Sequence, residues 1–140
     1  LIVGEPSSLW YYSNYGDGVL PLSPGFHGLS NHLLNTPWPK VEKGKELLRP
    51  ILDKETLSPA DLLDILYDDL PAPDSRLPDT GMGLERERML SSMFIKSPNY
   101  GSRCSTVVLI DRQNHITFSE RVYDLATFAH STQDFEFDIE

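Results

Sequence analysis

Ser97-Pro-Asn-Tyr-Gly-Ser-Arg-Cys-Ser-Thr-Val-Val-Leu-Ile-Asp111 is the stretch on which the fold turns. Pro98 presets φ, and Asn99 and Gly101 tolerate positive φ, so the stretch opens as a tight turn. Cys104–Ile110 follows, rich in β-branched and apolar residues. Both side-chain parities are apolar: Thr106, Val108 and Ile110 on one, Val107 and Leu109 on the other. A strand of that kind is usually covered on both faces, which predicts a central strand. Arg103 stands at its mouth. On residue chemistry it reads as a rim cation paired with a carboxylate, with an anion-orienting group as the alternative.

Working outward, Asp111–Asn114 reads as a hairpin loop with Asn114 left-handed, and Ile116–Val122 returns beside the first strand. Phe135, Phe137 and Ile139 alternate with Glu136, Asp138 and Glu140, predicting a last strand with one wet face. Upstream, Leu9–Ser13 and Val19–Leu22 read as an antiparallel pair around the turn Asn14–Gly18. Phe26–Asn31 reads as a short strand. Thr36-Pro37 predicts a helix from Pro37 to Arg49, ended by Pro50. Ser58-Pro59 predicts a second helix to Asp68. Residues 70–83 form a long Pro/Gly loop, a candidate lid. Glu85–Ser91 reads as a short helix whose Glu and Arg residues face solvent, and Met93–Lys96 as a strand. Strands at both ends with helices between them define an α+β layered domain.

The 140 residues suffice for one domain with a real core. A net charge of −9 argues against nucleic acid and against an anionic membrane surface as partners. No apolar run approaches a membrane span. Cys104 is the only cysteine, so an internal disulfide and an all-cysteine metal site are excluded. In a core strand it reads as a small buried hydrophobe, with a reactive thiol as the alternative. The chain opens on Leu1, and Leu1–Val3 resembles the end of a strand, which predicts a longer protein whose beginning is absent.

Asn31 carries the sharpest chemical signal. A carboxamide beside Gly28-Leu-Ser can donate to a developing oxyanion, or it can simply shape a turn. His27 and His32 fit neither one strand face nor one helix face, and no metal-ligand spacing occurs, so no metal site and no cofactor is expected. Lys40, Lys43 and Lys45 crowd one helix. A solvated face accounts for them, with anion binding near the helix start as the alternative.

Two segments carry a family resemblance: His27-Gly-Leu-Ser-Asn-His-Leu-Leu-Asn-Thr-Pro-Trp-Pro-Lys40, and Ser97–Asp111 with Ile116-Thr-Phe-Ser-Glu-Arg121. Together they resemble the C-terminal half of the transport and Golgi organisation protein 2 (NRDE) family. Leu77-Pro-Asp-Thr-Gly81 resembles its bacterial members. The resemblance implies an N-terminal-nucleophile hydrolase-like fold, a four-layer αββα sandwich, with residues 1–140 as a single domain fragment lacking the N-terminal half. It implies an amidohydrolase whose nucleophilic cysteine lies in that half, so this chain alone is expected to be inactive.

By the same analogy Asn31 is an oxyanion donor and Arg103 orients substrate or nucleophile. Tyr100 and Gly101 wall the pocket, and His27 and His32 are expected to contact substrate. The expected partners are a small molecule and the missing half, in the cytoplasm. The alternative is a non-catalytic carrier of haem or an acyl conjugate, motivated by Trp10, Tyr11, Tyr12 and Tyr15, the two histidines and the long loop.

Overall fold

The computed structural model describes residues 1–16, 18–98 and 100–139. Asp17, Asn99 and Glu140, which sequence reading placed in two turns and the last strand, lie outside them. The chain is α+β, with three small antiparallel sheets and three α-helices among the described residues.

Strands β1 (Ile2–Glu5), β2 (Ser8–Tyr12) and β3 (Val19–Pro21) form the first sheet, in that order. Its inward anchor is Tyr11, whose hydroxyl accepts from the Leu34 N–H at 3.1 Å. The predicted strand over Phe26–Asn31 does not form. Instead the Gly28 N–H donates to Asn35 Oδ1 at 3.0 Å and the Asn35 N–H donates to the Gly28 carbonyl at 2.7 Å. Asn35 sits at φ 60°, a conformation Asn tolerates, and closes a loop around Asn31. A Cβ on Gly28 would lie 2.6 Å from Val41 Cγ1, so only glycine lets this loop lie on the following helix.

That helix, α1, spans Pro39–Leu52. Its first helical proline is Pro39 rather than Pro37, because the residue before a proline is held out of the helical region, and Trp38 sits extended at ψ 147°. Pro50 sits inside the last turn, where the helix ends two residues later. Helix α2 (Pro59–Leu66) starts as read, with Ser58 Oγ accepting from the Ala60 N–H. It turns Leu63, 1% exposed, into the core. A 3-10 turn covers Asp74–Arg76, and α3 spans Leu84–Leu90. The strand expected at Met93–Lys96 shrinks to β4 (Lys96–Ser97), paired with β5 (Tyr100–Gly101).

Strands β6 (Cys104–Ile110), β7 (His115–Tyr123) and β8 (His130–Asp138) form the largest sheet, in the order β6-β7-β8. The hairpin between β6 and β7 turns on Asn114 at φ 63°, as its residue type predicts. β6 is therefore an edge strand rather than a central one. Only its inner parity is covered: Ser105 and Val107 are buried against the α2 side, while Cys104, Thr106, Val108 and Ile110 are exposed. Cys104 is thus an exposed thiol, not a buried hydrophobe. β8 is exposed along its whole length, so its wet face is not confined to one parity.

The core is an aromatic knot between these layers. Phe94, fully buried, lies 4.5 Å from the Tyr123 ring and 4.6 Å from the Tyr67 ring. Its N–H donates to the Asp68 carbonyl at 2.8 Å, which ties the segment after α3 to the end of α2. Lys96 closes the knot with its ammonium 4.5 Å from the Tyr67 ring and 2.7 Å from Asp69.

Candidate functional site

A cavity of about 240 Å³ opens where α1 begins, α3 ends and the 70–83 loop returns. Trp38, Met82, Leu90 and Ile95 give it apolar walls, and Asn31, Lys40, Thr80, Glu87 and Tyr100 bring polar groups to it. Few polar groups among apolar walls is the usual make-up of a small-molecule site.

The closed loop from Gly28 to Asn35 presents Asn31. Its Oδ1 takes a long contact from Ser30 Oγ at 3.5 Å, and no acceptor holds its NH₂ among the described residues. An amide donor left free at a cavity mouth can stabilise negative charge on a bound carbonyl oxygen. Tyr100 stands across the same cavity. Gly101 does not line the cavity; it packs behind Ile95, whose carbonyl a Cβ there would meet at 2.7 Å.

The other predicted residues lie elsewhere. Arg103 is exposed at the start of β6, where its carbonyl accepts from the Tyr123 N–H at 2.9 Å, and it does not line the cavity. His27 bonds the Ser23 carbonyl at 2.8 Å and the Asn35 amide at 3.1 Å. It borders a broad surface groove on the other side of Asn31. His32 bonds Thr36 Oγ1 at 2.8 Å with its ring 5.7 Å from Trp38, so it buttresses a wall residue. No group of three His, Cys, Asp or Glu residues able to hold a metal occurs among the described residues.

Three contributors were not among the expected site residues, although Lys40 had anion binding as its alternative. Asn35 organises the loop, and Lys45 adds a 2.5 Å bond to its Oδ1. Lys40 is half-buried at the cavity instead of lying on a solvated face, and burial holds its ammonium below the usual lysine range. Glu87 is buried rather than solvated. Its Oε1 accepts from Thr80 Oγ1 at 2.5 Å and from the Thr80 N–H at 2.9 Å, which holds the carboxyl below its ordinary range. The available signal was Thr80 seven residues ahead of Glu87, a spacing that only tertiary closure makes meaningful.

The long loop is tethered. Arg88 forks onto Asp74 with bonds of 2.9 and 2.7 Å. Arg76 reaches Glu42 at 2.5 Å, and the Ala72 N–H donates to Ser91 Oγ at 2.8 Å. Pro78, Thr80 and Met82 are thereby set as one cavity wall.

Fold and site thus define a small α+β domain with an apolar cavity and a few convergent polar groups. Residues 1–125 match the family model Transport and Golgi organisation 2, and the chain belongs to that family. It is 36% identical over 141 residues to the human Transport and Golgi organization protein 2 homolog. It is 33% identical over 140 residues to the mouse Transport and Golgi organization 2 homolog. Both alignments cover 93% of this chain and 51% of the relative. The cattle homolog is 38% identical over 124 residues, covering 79% of this chain and 44% of the relative. The chain spans about half the length of the curated relatives it matches. No helix among the described residues is long and apolar enough to cross a membrane.

Proposed function

We propose that this chain is the rear half of a cysteine amidohydrolase acting on a small amide, with the nucleophile supplied by the other half of the family's length. The observation that carries the reading is the free Asn31 amide at the mouth of the cavity it shares with Tyr100. In this reading Asn31 donates to the oxyanion as the thiol attacks the amide carbon, and the cavity holds the acyl group. Arg103, outside the cavity, orients the thiol from the β6 end. The chain alone then lacks the catalytic nucleophile, and the cytoplasm is the proposed place of action.

The same reading explains an open sheet. On the outer face of β6-β7-β8, Val108 pairs with Phe118 and Ile110 with Ile116, and these continue to Phe135 and Phe137 on β8. Val108, Ile110, Val122, Phe135 and Phe137 are each 45–52% exposed. Strands of the other half are proposed to cover this face and complete an αββα sandwich.

Joined to that half, the protein should hydrolyse small acyl amides, and Asn31→Ala should lower kcat by about 10²-fold. Equal rates for the two proteins would remove Asn31 from the mechanism. The apolar walls favour a second reading, a carrier of an acyl conjugate or haem. Haem added to the joined protein should then shift its absorption band, and His32→Ala should lose the shift. An unshifted band ends the haem form of that reading.

A further inference from the structure

Lys40 is the cation at the cavity. Its Nζ donates to the Leu90 carbonyl at 2.9 Å and lies 6.0 Å from the Trp38 ring. Lys43, Lys54 and Lys96 each pair with an aspartate, whereas no carboxylate pairs with Lys40 among the described residues. An ammonium has three donors to place, and a half-buried one with a single neutral acceptor is poorly compensated for the water it has lost. Glu87 and Tyr100 are the other titratable groups there. The Glu87 carboxylate is already engaged by the Thr80 N–H and hydroxyl.

We propose that this cavity binds a small organic acid, whose carboxylate pairs with the Lys40 ammonium while its apolar body lies against Trp38, Leu90 and Ile95. A volume of about 240 Å³ equals about eight waters' share of the liquid, room for one ring and a carboxylate. Under the hydrolase reading, on which this step rests, the substrate is an acidic amide bearing a carboxylate remote from the bond that is cut. Binding of the acid itself needs no nucleophile.

The test is a calorimetric titration of this chain with benzoate and with benzamide, its neutral counterpart of the same shape. Benzoate should bind roughly tenfold more tightly, because its carboxylate forms an ion pair with the ammonium where benzamide offers only a neutral carbonyl acceptor. Lys40→Met should abolish the preference, so that the two probes bind alike, and an unchanged urea-unfolding midpoint should report that the variant is folded. Lys40→Arg should keep most of the preference. Equal binding of the two probes, binding of neither, or a preference that survives in Lys40→Met overturns the proposal. If the joined protein hydrolyses amides yet shows no benzoate preference, the acid site fails and the hydrolase reading stands. A benzoate preference without hydrolysis is the opposite result.

Discussion

The two faces of the β6-β7-β8 sheet are built on opposite terms. The inner face, beneath α2, is rich in polar residues: Ser105, Ser119, Arg121 and Tyr123 are all buried there. The Tyr123 hydroxyl donates to Ser105 at 3.2 Å, Ser119 to Asp134 at 2.5 Å and Arg121 Nη1 to Asp64 at 2.9 Å, while the buried Arg121 Nε has no partner among the described residues. The outer face is open, and toward the β6–β7 turn, at Val108, Ile110, Phe135 and Phe137, it is apolar. Covering a sheet on its polar side and leaving its apolar side bare reverses the usual preference. The difference teaches that the inner face holds this chain together, whereas the outer face is left open among the described residues, as the proposed cover requires.

Core truncation on the covered side should show the largest effect. Leu63→Ala should destabilise the chain by about 3 kcal/mol in urea unfolding, because a fully buried leucine leaves a cavity. A loss below about 1 kcal/mol would mean that α2 is not seated as described. Gly28→Ala should cost about 1–3 kcal/mol through the Val41 clash, and would sharpen how far the Asn31 loop depends on α1. On the open face, Phe135→Lys should change the stability of this chain by no more than about 0.5 kcal/mol while reducing self-association in sedimentation. A large loss there would break the comparison, since it would mean that the face is already packed.

The pH response is the smallest effect and has a definite sign. Hydrogen bonds from Thr80 hold the Glu87 carboxyl below its unfolded range. Its contribution is therefore present at neutral pH and lost as pH falls through the folded value. Asp69 and Asp74, lowered by Lys96 and Arg88, act in the same direction. Thermal melts should fall on acidification, and Glu87→Gln should flatten part of that slope. His115, raised by its bond to Asp138, acts oppositely and loses its contribution as pH rises through its folded value.

Much of the architecture was legible because it is local. The β6–β7 hairpin announces itself through Asn114, α2 through Ser58-Pro59, and the family through two segments. What misled was the apolar parity of Val108 and Ile110. Periodicity reports that a face is suited to burial, and cannot report whether this chain supplies the cover. The Phe26–Asn31 strand failed for a related reason. Its backbone groups are claimed by Asn35 and its path by Gly28 against Val41, both tertiary facts. Asn31 and Tyr100 were found as types and do meet at one cavity, while Lys40 and Glu87 looked like ordinary surface charges until the loop closed over them.

Cys104 offers the most direct test of the proposed cover, because its thiol lies on the open outer face opposite Val122. Alkylation can be followed at this residue by mass spectrometry, in the chain alone and in the chain joined to the other half of the family's length. The account predicts labelling at close to the rate of an unhindered thiol in the first case and protection by about 10²-fold or more in the second, the scale of a buried site opening rarely. Equal labelling of Cys104 in both proteins would contradict it.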